Sequence, residues 1–158
     1  MIVETGTFKS GSSLYYANLC DLLNNGRILT IDTEFRENRP KHKRIKYVLG
    51  SSTDESVVKV IEEESKMDKT ILVSLDSDHS KNHVLNELNI YSKFVTSGSY
   101  LIVEDTALNG HPLHPEEPKE GPMEALEDFM KCNKEFVSDR SREKFFMTWH
   151  PNGFLRKL

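Results

Sequence analysis

Acidic side chains that could hold a cation follow two apolar segments of the chain. The acids are Asp76 and Asp78 after residues 71–75, and Glu104 and Asp105 after residues 100–103. Apolar runs without polar alternation are typical of strands covered on both faces of a parallel sheet. Ligands of such sheets bind at the carboxyl ends of the strands. We therefore expect Asp78, Glu104 and Asp105 to lie together, where three carboxylates need a cation.

Other chemistry is possible for the same residues. Asp76, Asp78 and His79 could cap the helix that follows them, although capping needs one acid and leaves Glu104 and Asp105 unexplained. The histidine spacings match no closed zinc site. An iron site of two histidines and an acid would need a pairing that the sequence does not place.

A second candidate site begins with small residues after the first apolar segment. Gly6 and Gly11 frame a loop that leads into a helical pattern, and Asp32 ends the next apolar segment. A glycine lets the backbone approach a ligand, a helix amino end offers free N–H groups, and such an acid can hold a ribose hydroxyl. The loop is not the full dinucleotide fingerprint, so a purely structural glycine turn stays open. Residues 51–53 follow the third strand and could cap a helix, contact a base, or do both.

Short apolar runs alternate with helical patterns, which predicts an α/β fold built from βαβ units. Strands are predicted at residues 1–4, 27–32, 47–50, 71–75 and 100–103, and helices after residue 12 or 13, around residues 57–61, and at 81–94 and 122–131. The proline-rich segment 106–121 is expected to lie over the site. Residues 144–157 are predicted to form two strands around Pro151-Asn-Gly153, an antiparallel hairpin.

Composition sets further bounds. The chain has 158 residues, 37% hydrophobic residues and a net charge of -4, which predicts one domain and no nucleic-acid partner. A basic cluster at residues 36–44 is the exception, and it is either a solvated loop or a contact for an anionic group. Cys20 and Cys132 are expected to be reduced thiols. With no long apolar stretch or signal peptide, we expect a soluble cytoplasmic protein without a membrane partner.

Four stretches resemble the cephalosporin hydroxylase and rhamnosyl O-methyltransferase family, at residues 2–13, 75–85, 98–106 and 139–145. The resemblance covers nearly the whole chain. It implies one class I S-adenosylmethionine-dependent methyltransferase domain over residues 1–158, with a Rossmann-like, mostly parallel seven-strand sheet that ends in an antiparallel hairpin. Family members carry an N-terminal segment that covers this sheet. We expect the present chain to lack that cover, as a fragment, a short form, or a subunit whose partner supplies it.

The resemblance also implies site residues. Cofactor contacts are expected from Glu4, Gly6, Thr7, Ser10, Gly11, Asp32, Ser51, Ser52 and Asp76, with Asp32 on the ribose and Ser51 or Ser52 near the adenine. The metal ligands would be Asp78, Glu104 and Asp105, an oxygen-rich set suited to Mg²⁺ or Mn²⁺. The run Asp78-His-Ser-Lys81 is also similar to one in catechol O-methyltransferase. There the Asp binds metal and the Lys assists deprotonation, so Asp78 and Lys81 are the catalytic candidates.

The implied function is a metal-assisted O-methyltransferase that transfers the methyl group of S-adenosylmethionine to a hydroxyl of a sugar or small molecule. The alternative is a cofactor-binding but catalytically silent domain that acts through assembly. Lys81 could instead only offset carboxylate charge. The sequence does not name the acceptor, and it leaves a homo-oligomer open.

Overall fold

The computed structural model describes residues 1–115, 119–144 and 147–158. Strands and helices alternate over most of this length. The strands are β1 Ile2–Thr5, β2 Ile28–Asp32, β3 Ile45–Leu49, β4 Leu72–Leu75, β5 Tyr100–Val103, β6 Phe136–Ser138 and β7 Phe154–Lys157. The helices are α1 Gly11–Leu22, α2 Glu55–Ser65, α3 Lys81–Tyr91 and α4 Pro122–Cys132, with a short 3-10 helix at Arg140–Arg142.

These strands form one sheet in the order β3-β2-β1-β4-β5-β7-β6. Neighbouring strands from β3 to β5 are parallel, whereas β7 runs antiparallel to both β5 and β6. The predicted fold class, a mostly parallel sheet closed by antiparallel C-terminal strands, is confirmed. The strand order reverses between β1 and β4, and in such sheets ligands bind beside that point.

The apolar core lies on the central strands. Val3, Leu29, Val73 and Leu101 are almost completely buried and pack in one cluster with residues of α2, α3 and α4. Burying each such side chain contributes about 1.5–3 kcal/mol. The continuous apolar runs in the sequence therefore have a physical cause, because these strands are covered on both faces.

The position predicted for the C-terminal hairpin is wrong. On the side away from β5, the antiparallel partner of β7 is β6, Phe136–Ser138, which lies upstream of the predicted segment 144–157. Residues 145–146 lie outside the described residues. After β6, the Asp139 side chain accepts a hydrogen bond from the Ser141 backbone N–H, which turns the chain into the 3-10 helix. A strand of three residues is too short to give a periodic signal.

The described parts of the segment 106–121 lie beside the amino end of α3. Lys81 Nζ is 2.8 Å from Glu120 Oε1, and residues 116–118 lie outside the described residues. Cys20 and Cys132 are both free thiols, as predicted. In the described part of the chain, no helix is long and apolar enough to cross a membrane.

Candidate functional site

A cavity of about 600 Å³ opens at the carboxyl ends of β1 to β4. Its walls come from four loops and one helix. They are Gly6 and Phe8 after β1, residues within 31–36 around the end of β2, residues 50–52 after β3, residues 76–79 after β4, and His83 in α3. The cavity thus lies at the strand ends where the sequence predicted a ligand.

Gly6 holds the turn after β1 against the end of β4. Its φ is +85°, and a Cβ at this position would lie 1.8 Å from the Asp76 carbonyl oxygen. Only glycine fits such an approach, because both the backbone conformation and the space exclude a side chain. The Asp76 backbone N–H in turn donates to the Thr5 carbonyl at 3.2 Å.

Four other residues predicted to contact the cofactor do not line the cavity. Glu4, Thr7 and Ser10 are buried, while Gly11 is exposed at the start of α1. The Glu4 carboxylate accepts hydrogen bonds from the Ser13 and Thr30 hydroxyls. Thr7 and Thr30 share a hydroxyl hydrogen bond of 2.7 Å, and Ser10 shares one of 2.8 Å with Tyr47. These hydrogen bonds fix the conformation of the loop between β1 and α1 from its buried side.

Asp32 faces the cavity with most of its hydrogen-bonding capacity already used. Its carboxylate accepts from the Phe8 N–H at 2.7 Å, the Glu34 N–H at 2.9 Å and the Arg39 guanidinium at 2.7 Å. A carboxylate has about four acceptor positions, so one remains for a ligand hydroxyl. Arg39 is buried, so this member of the basic cluster is not a solvated side chain. Arg36 of the same cluster lines the cavity.

Ser51 and Ser52 line the cavity after β3, as their predicted role near a base requires. The Ser52 hydroxyl is 3.1 Å from His83 Nε2. Neither serine caps the next helix, because the residue before α2 is Asp54 and no side-chain capping bond forms there. The Ser51 hydroxyl shares a hydrogen bond of 3.0 Å with the Thr53 hydroxyl.

Asp76, His79 and Asp105 form an acidic cluster at the ends of β4 and β5. Each offers one possible ligand atom, and these atoms lie within 4.8 Å of one another. His79 Nε2 is 3.4 Å from Asp76 Oδ1 and 3.6 Å from Asp105 Oδ2. This nitrogen atom is buried, yet no described residue forms a hydrogen bond of good geometry with it. The hydrogen-bonding interaction with Asp76 raises the pKa of His79.

Glu104 extends this cluster. Burial first, and then the charges of Asp76 and Asp105, together raise the pKa of its carboxyl to about 7, against a hydrogen bond of 2.5 Å from Ser74 Oγ that lowers it. Behind it, the Asp105 N–H donates to His150 Nδ1 at 2.9 Å, a contact that the sequence gave no signal for. Carboxylates that repel one another in a half-buried position fit a divalent cation.

Asp78 lies on the cavity wall but outside the acidic cluster. Its Oδ1 accepts a hydrogen bond of 2.7 Å from the Ser80 N–H, just before α3 begins. Hydrogen bonds from Ser80 lower the pKa of the Asp78 carboxyl. This contact is a local turn before α3, whose N-cap residue is Ser80 and forms no side-chain capping bond, and Asp76 takes the position beside Asp105. The metal-ligand role of Asp78 stays a prediction, and this geometry does not support it.

Lys81 points to acids outside the cavity. Its Nζ is 2.8 Å from Glu120 Oε1 and 3.0 Å from Asp128 Oδ2, and hydrogen bonds to these two carboxylates raise its pKa. A general base must be neutral when it takes a proton. The structure therefore opposes the predicted base role and favours the alternative in which Lys81 offsets carboxylate charge.

Comparisons with known proteins identify a family for this chain. The sequence profile of the Rhamnosyl O-methyltransferase/CmcI family matches residues 1–158. The Rhamnosyl O-methyltransferase of Mycobacterium tuberculosis (strain ATCC 25618 / H37Rv) is 36% identical over 162 residues, which cover 98% of this chain and 66% of that protein. The protein of the same name from Mycobacterium leprae (strain TN) is 32% identical over 161 residues, which cover 98% of this chain and 70% of that protein.

Solved structures of similar fold are two forms of CmcI and the methyltransferase MycE. The structure named cmcI-D160 Mg-SAM matches with a TM-score of 0.70 at 18% identity, over 99% of this chain and 64% of that one. A complex of MycE with Mg, SAH and mycinamycin VI matches with a TM-score of 0.57 at 19% identity, over 82% of this chain and 37% of that one. The present chain thus spans 66% of the length of the M. tuberculosis relative, and it belongs to the rhamnosyl O-methyltransferase/CmcI family.

Proposed function

We propose that residues 1–158 form one S-adenosylmethionine-dependent, divalent-metal-assisted O-methyltransferase domain that acts on a hydroxyl of a sugar or small molecule. Family membership supports this proposal, as do the curated relatives, which are named rhamnosyl O-methyltransferases. The matched CmcI and MycE structures are named with Mg and with SAM or SAH.

One observation carries the proposal: the cavity and the acidic cluster share Asp76. Asp76 lines the cavity and also belongs to the acidic cluster with His79 and Asp105. A nucleoside in the cavity with its ribose at Asp32 would therefore extend toward the cluster. In a metal-assisted methyltransferase, the methyl donor and the acceptor hydroxyl must meet in this way.

The residues present fit a hard divalent cation. Asp76, Glu104 and Asp105 would hold it through carboxylate oxygens, which Mg²⁺ prefers over nitrogen. Burial, and after it the charges of neighbouring acids, raise the pKa of Glu104, so a bound cation would stabilise the ionised form of this carboxyl. When bound, the cation supplies Lewis-acid stabilisation for an acceptor hydroxyl that loses its proton.

The chain's own residues then have separate roles. The glycine turn at Gly6 lets the nucleoside approach the sheet, and the open acceptor position on Asp32 binds a ribose hydroxyl. His79 takes the proton of the acceptor hydroxyl, because its Nε2 lies between Asp76 and Asp105 in the cluster and an imidazole ordinarily titrates nearer neutrality than a lysine. The acceptor oxygen forms a bond to the methyl carbon while the carbon–sulfur bond breaks, which leaves a methyl ether and S-adenosylhomocysteine.

Calorimetric titration of the chain with S-adenosylmethionine and S-adenosylhomocysteine, with and without Mg²⁺, tests the proposal. Both should bind at concentrations at or below about 1 mM, and Mg²⁺ should then permit transfer to a hydroxyl in a panel of rhamnosides, macrolide sugars and catechols, detected by mass spectrometry. A chelator should stop transfer while the nucleoside stays bound. Binding with no transfer to any acceptor would favour the silent-domain alternative, and no binding at all would contradict both.

A further inference from the structure

A buried polar group lies behind the cavity wall, away from the acidic cluster. The side chain of Glu87 in α3 is completely buried, and its Oε1 accepts a hydrogen bond of 2.7 Å from the Ser77 hydroxyl. Its Oε2 is also buried, and no described residue donates a hydrogen bond to it. A buried carboxylate with an unpaired oxygen is costly unless a nearby cation compensates it.

His83 is the group that compensates Glu87. It lies one helical turn earlier, with its Nε2 3.4 Å from Glu87 Oε1 and 3.1 Å from the Ser52 hydroxyl. The hydrogen-bonding interaction with Glu87 raises the pKa of His83. Since a carboxylate only accepts, this arrangement assigns a hydrogen to Nε2. The imidazole is thereby fixed between α3 and the loop after β3, and His83 lines the cavity.

The strand order shows which part of a nucleoside this residue would meet. Asp32 follows β2, the acidic cluster follows β4 and β5, and Ser52 follows β3 at the other end of the row. A nucleoside with its ribose at Asp32 and its reactive end toward the acidic cluster has its base on the side of Ser52. His83 lies beside Ser52, and the phenol of Tyr91 further anchors this loop by donating to the Ser52 carbonyl at 2.7 Å.

We propose that His83 binds the purine base of the nucleoside cofactor and that Glu87, held by Ser77, positions His83 for this contact. The inference rests on the proposed function, because it requires a nucleoside in the cavity. An imidazole offers a flat face and a polar edge, and both suit a heteroaromatic base. Neither residue takes part in methyl transfer itself.

The experiment compares two ligands that differ only in the base. S-adenosylhomocysteine and the base-free S-ribosylhomocysteine are titrated against the wild type, His83→Gln and the control His42→Gln, whose imidazole contacts Asp21 instead. His83→Gln should weaken the binding of S-adenosylhomocysteine about 10-fold or more and leave the affinity for S-ribosylhomocysteine unchanged. His42→Gln should change neither.

Glu87→Gln tests the positioning role. It keeps the shape of the side chain and removes its charge. It should therefore also weaken the binding of S-adenosylhomocysteine but not the binding of the base-free ligand. The double variant His83→Gln/Glu87→Gln should bind like His83→Gln alone, because Glu87 acts through His83. Urea unfolding checks that each variant is folded, and the His83→Gln comparison decides the question if Glu87→Gln is not.

Two results would overturn the inference. If His83→Gln weakens the binding of both ligands equally, the residue only supports the loop. If its affinity for S-adenosylhomocysteine is unchanged, the residue does not contact the base. A wild type that binds neither ligand would contradict the proposed function, and this inference with it.

Discussion

Two kinds of charged group surround the cavity, and they differ in how fully their charges are compensated. Asp32 is matched by Arg39 and two backbone N–H groups, and Lys81 is matched by Glu120 and Asp128. In the acidic cluster, by contrast, the charges of Asp76 and Asp105 help to raise the pKa of Glu104. Compensated charges stabilise the fold, whereas uncompensated ones lower stability until a ligand arrives.

The largest predicted effect on stability concerns pH. The pKa of Glu104 is raised from 4.5 to about 7 by burial first and then by its acidic neighbours. The folded state therefore binds more protons than the unfolded state between these values, and stability should fall as pH rises through them. Without metal, the wild type should lose roughly 2 kcal/mol of unfolding free energy between about pH 5.5 and about pH 8.

Urea unfolding in chelator at several pH values measures this loss. The control variant Glu104→Gln cannot ionise, so its stability should lack this component of the pH dependence. The same titration predicts that Mg²⁺ affinity rises with pH up to about 7, because a cation needs the ionised carboxylate. A wild type and a Glu104→Gln variant with the same pH dependence would show that Glu104 titrates normally.

The next prediction separates His79, which lies in the acidic cluster, from Lys81, which lies in a compensated ion pair. If His79 is the general base, His79→Gln should lower the rate of transfer by about 10²-fold, the usual scale for such a loss. Lys81→Ala should lower it far less. Rates at saturating S-adenosylmethionine, with nucleoside affinity measured beside them, give the comparison. A 10²-fold loss in Lys81→Ala with His79→Gln fully active would restore the assignment that the sequence suggested.

The smallest predicted effect is a change in unfolding free energy, with opposite signs for removing a charge from the acidic cluster and removing the charge of Asp32. Asp105→Asn removes a repelling charge at a residue with a positive φ of 56°, which asparagine tolerates. In chelator it should raise the unfolding free energy by about 1 kcal/mol, whereas Asp32→Asn should lower it by about 1–2 kcal/mol because the Arg39 charge loses its carboxylate partner.

Thermal or urea unfolding of both variants in one buffer tests whether their changes in unfolding free energy have opposite signs. Adding Mg²⁺ should stabilise the wild type and Asp32→Asn but should have less effect on Asp105→Asn. The same sign for both variants in chelator would mean that the acidic cluster is compensated after all, and the distinction between the two regions would fail.

The sequence predicted the parallel strands and the loops that carry the site because apolar runs and glycine turns are local signals. It could not choose between Asp76 and Asp78. Both follow the same strand, and only the tertiary structure shows that Asp78 accepts from the Ser80 N–H whereas Asp76 lies with His79 and Asp105. Nor could spacing reveal the pairing of Lys81 with Glu120 and Asp128, since these acids lie far along the chain.

Glu87 illustrates a different limit of sequence interpretation. Helical spacing predicts that Val84, Leu85, Leu88 and Tyr91 share one face of α3. Val84, Leu88 and Tyr91 are buried, and Leu85 packs partly buried against the core. Glu87 lies on the same side and is as deeply buried, although a glutamate in an amphipathic pattern normally indicates solvent. Its burial depends on Ser77 and His83, contacts that only the tertiary structure supplies.

The close approach of Gly6 to the Asp76 carbonyl has a consequence for how this protein can vary. With no room for a side chain between them, the nucleoside end and the acidic end of the cavity are held at a fixed separation by backbone alone. A bulkier acceptor cannot be accommodated by widening that gap. Room for it must come from elsewhere in the site, so changes in acceptor preference should map to residues outside the Gly6–Asp76 contact and leave the spacing between methyl donor and cation unaltered.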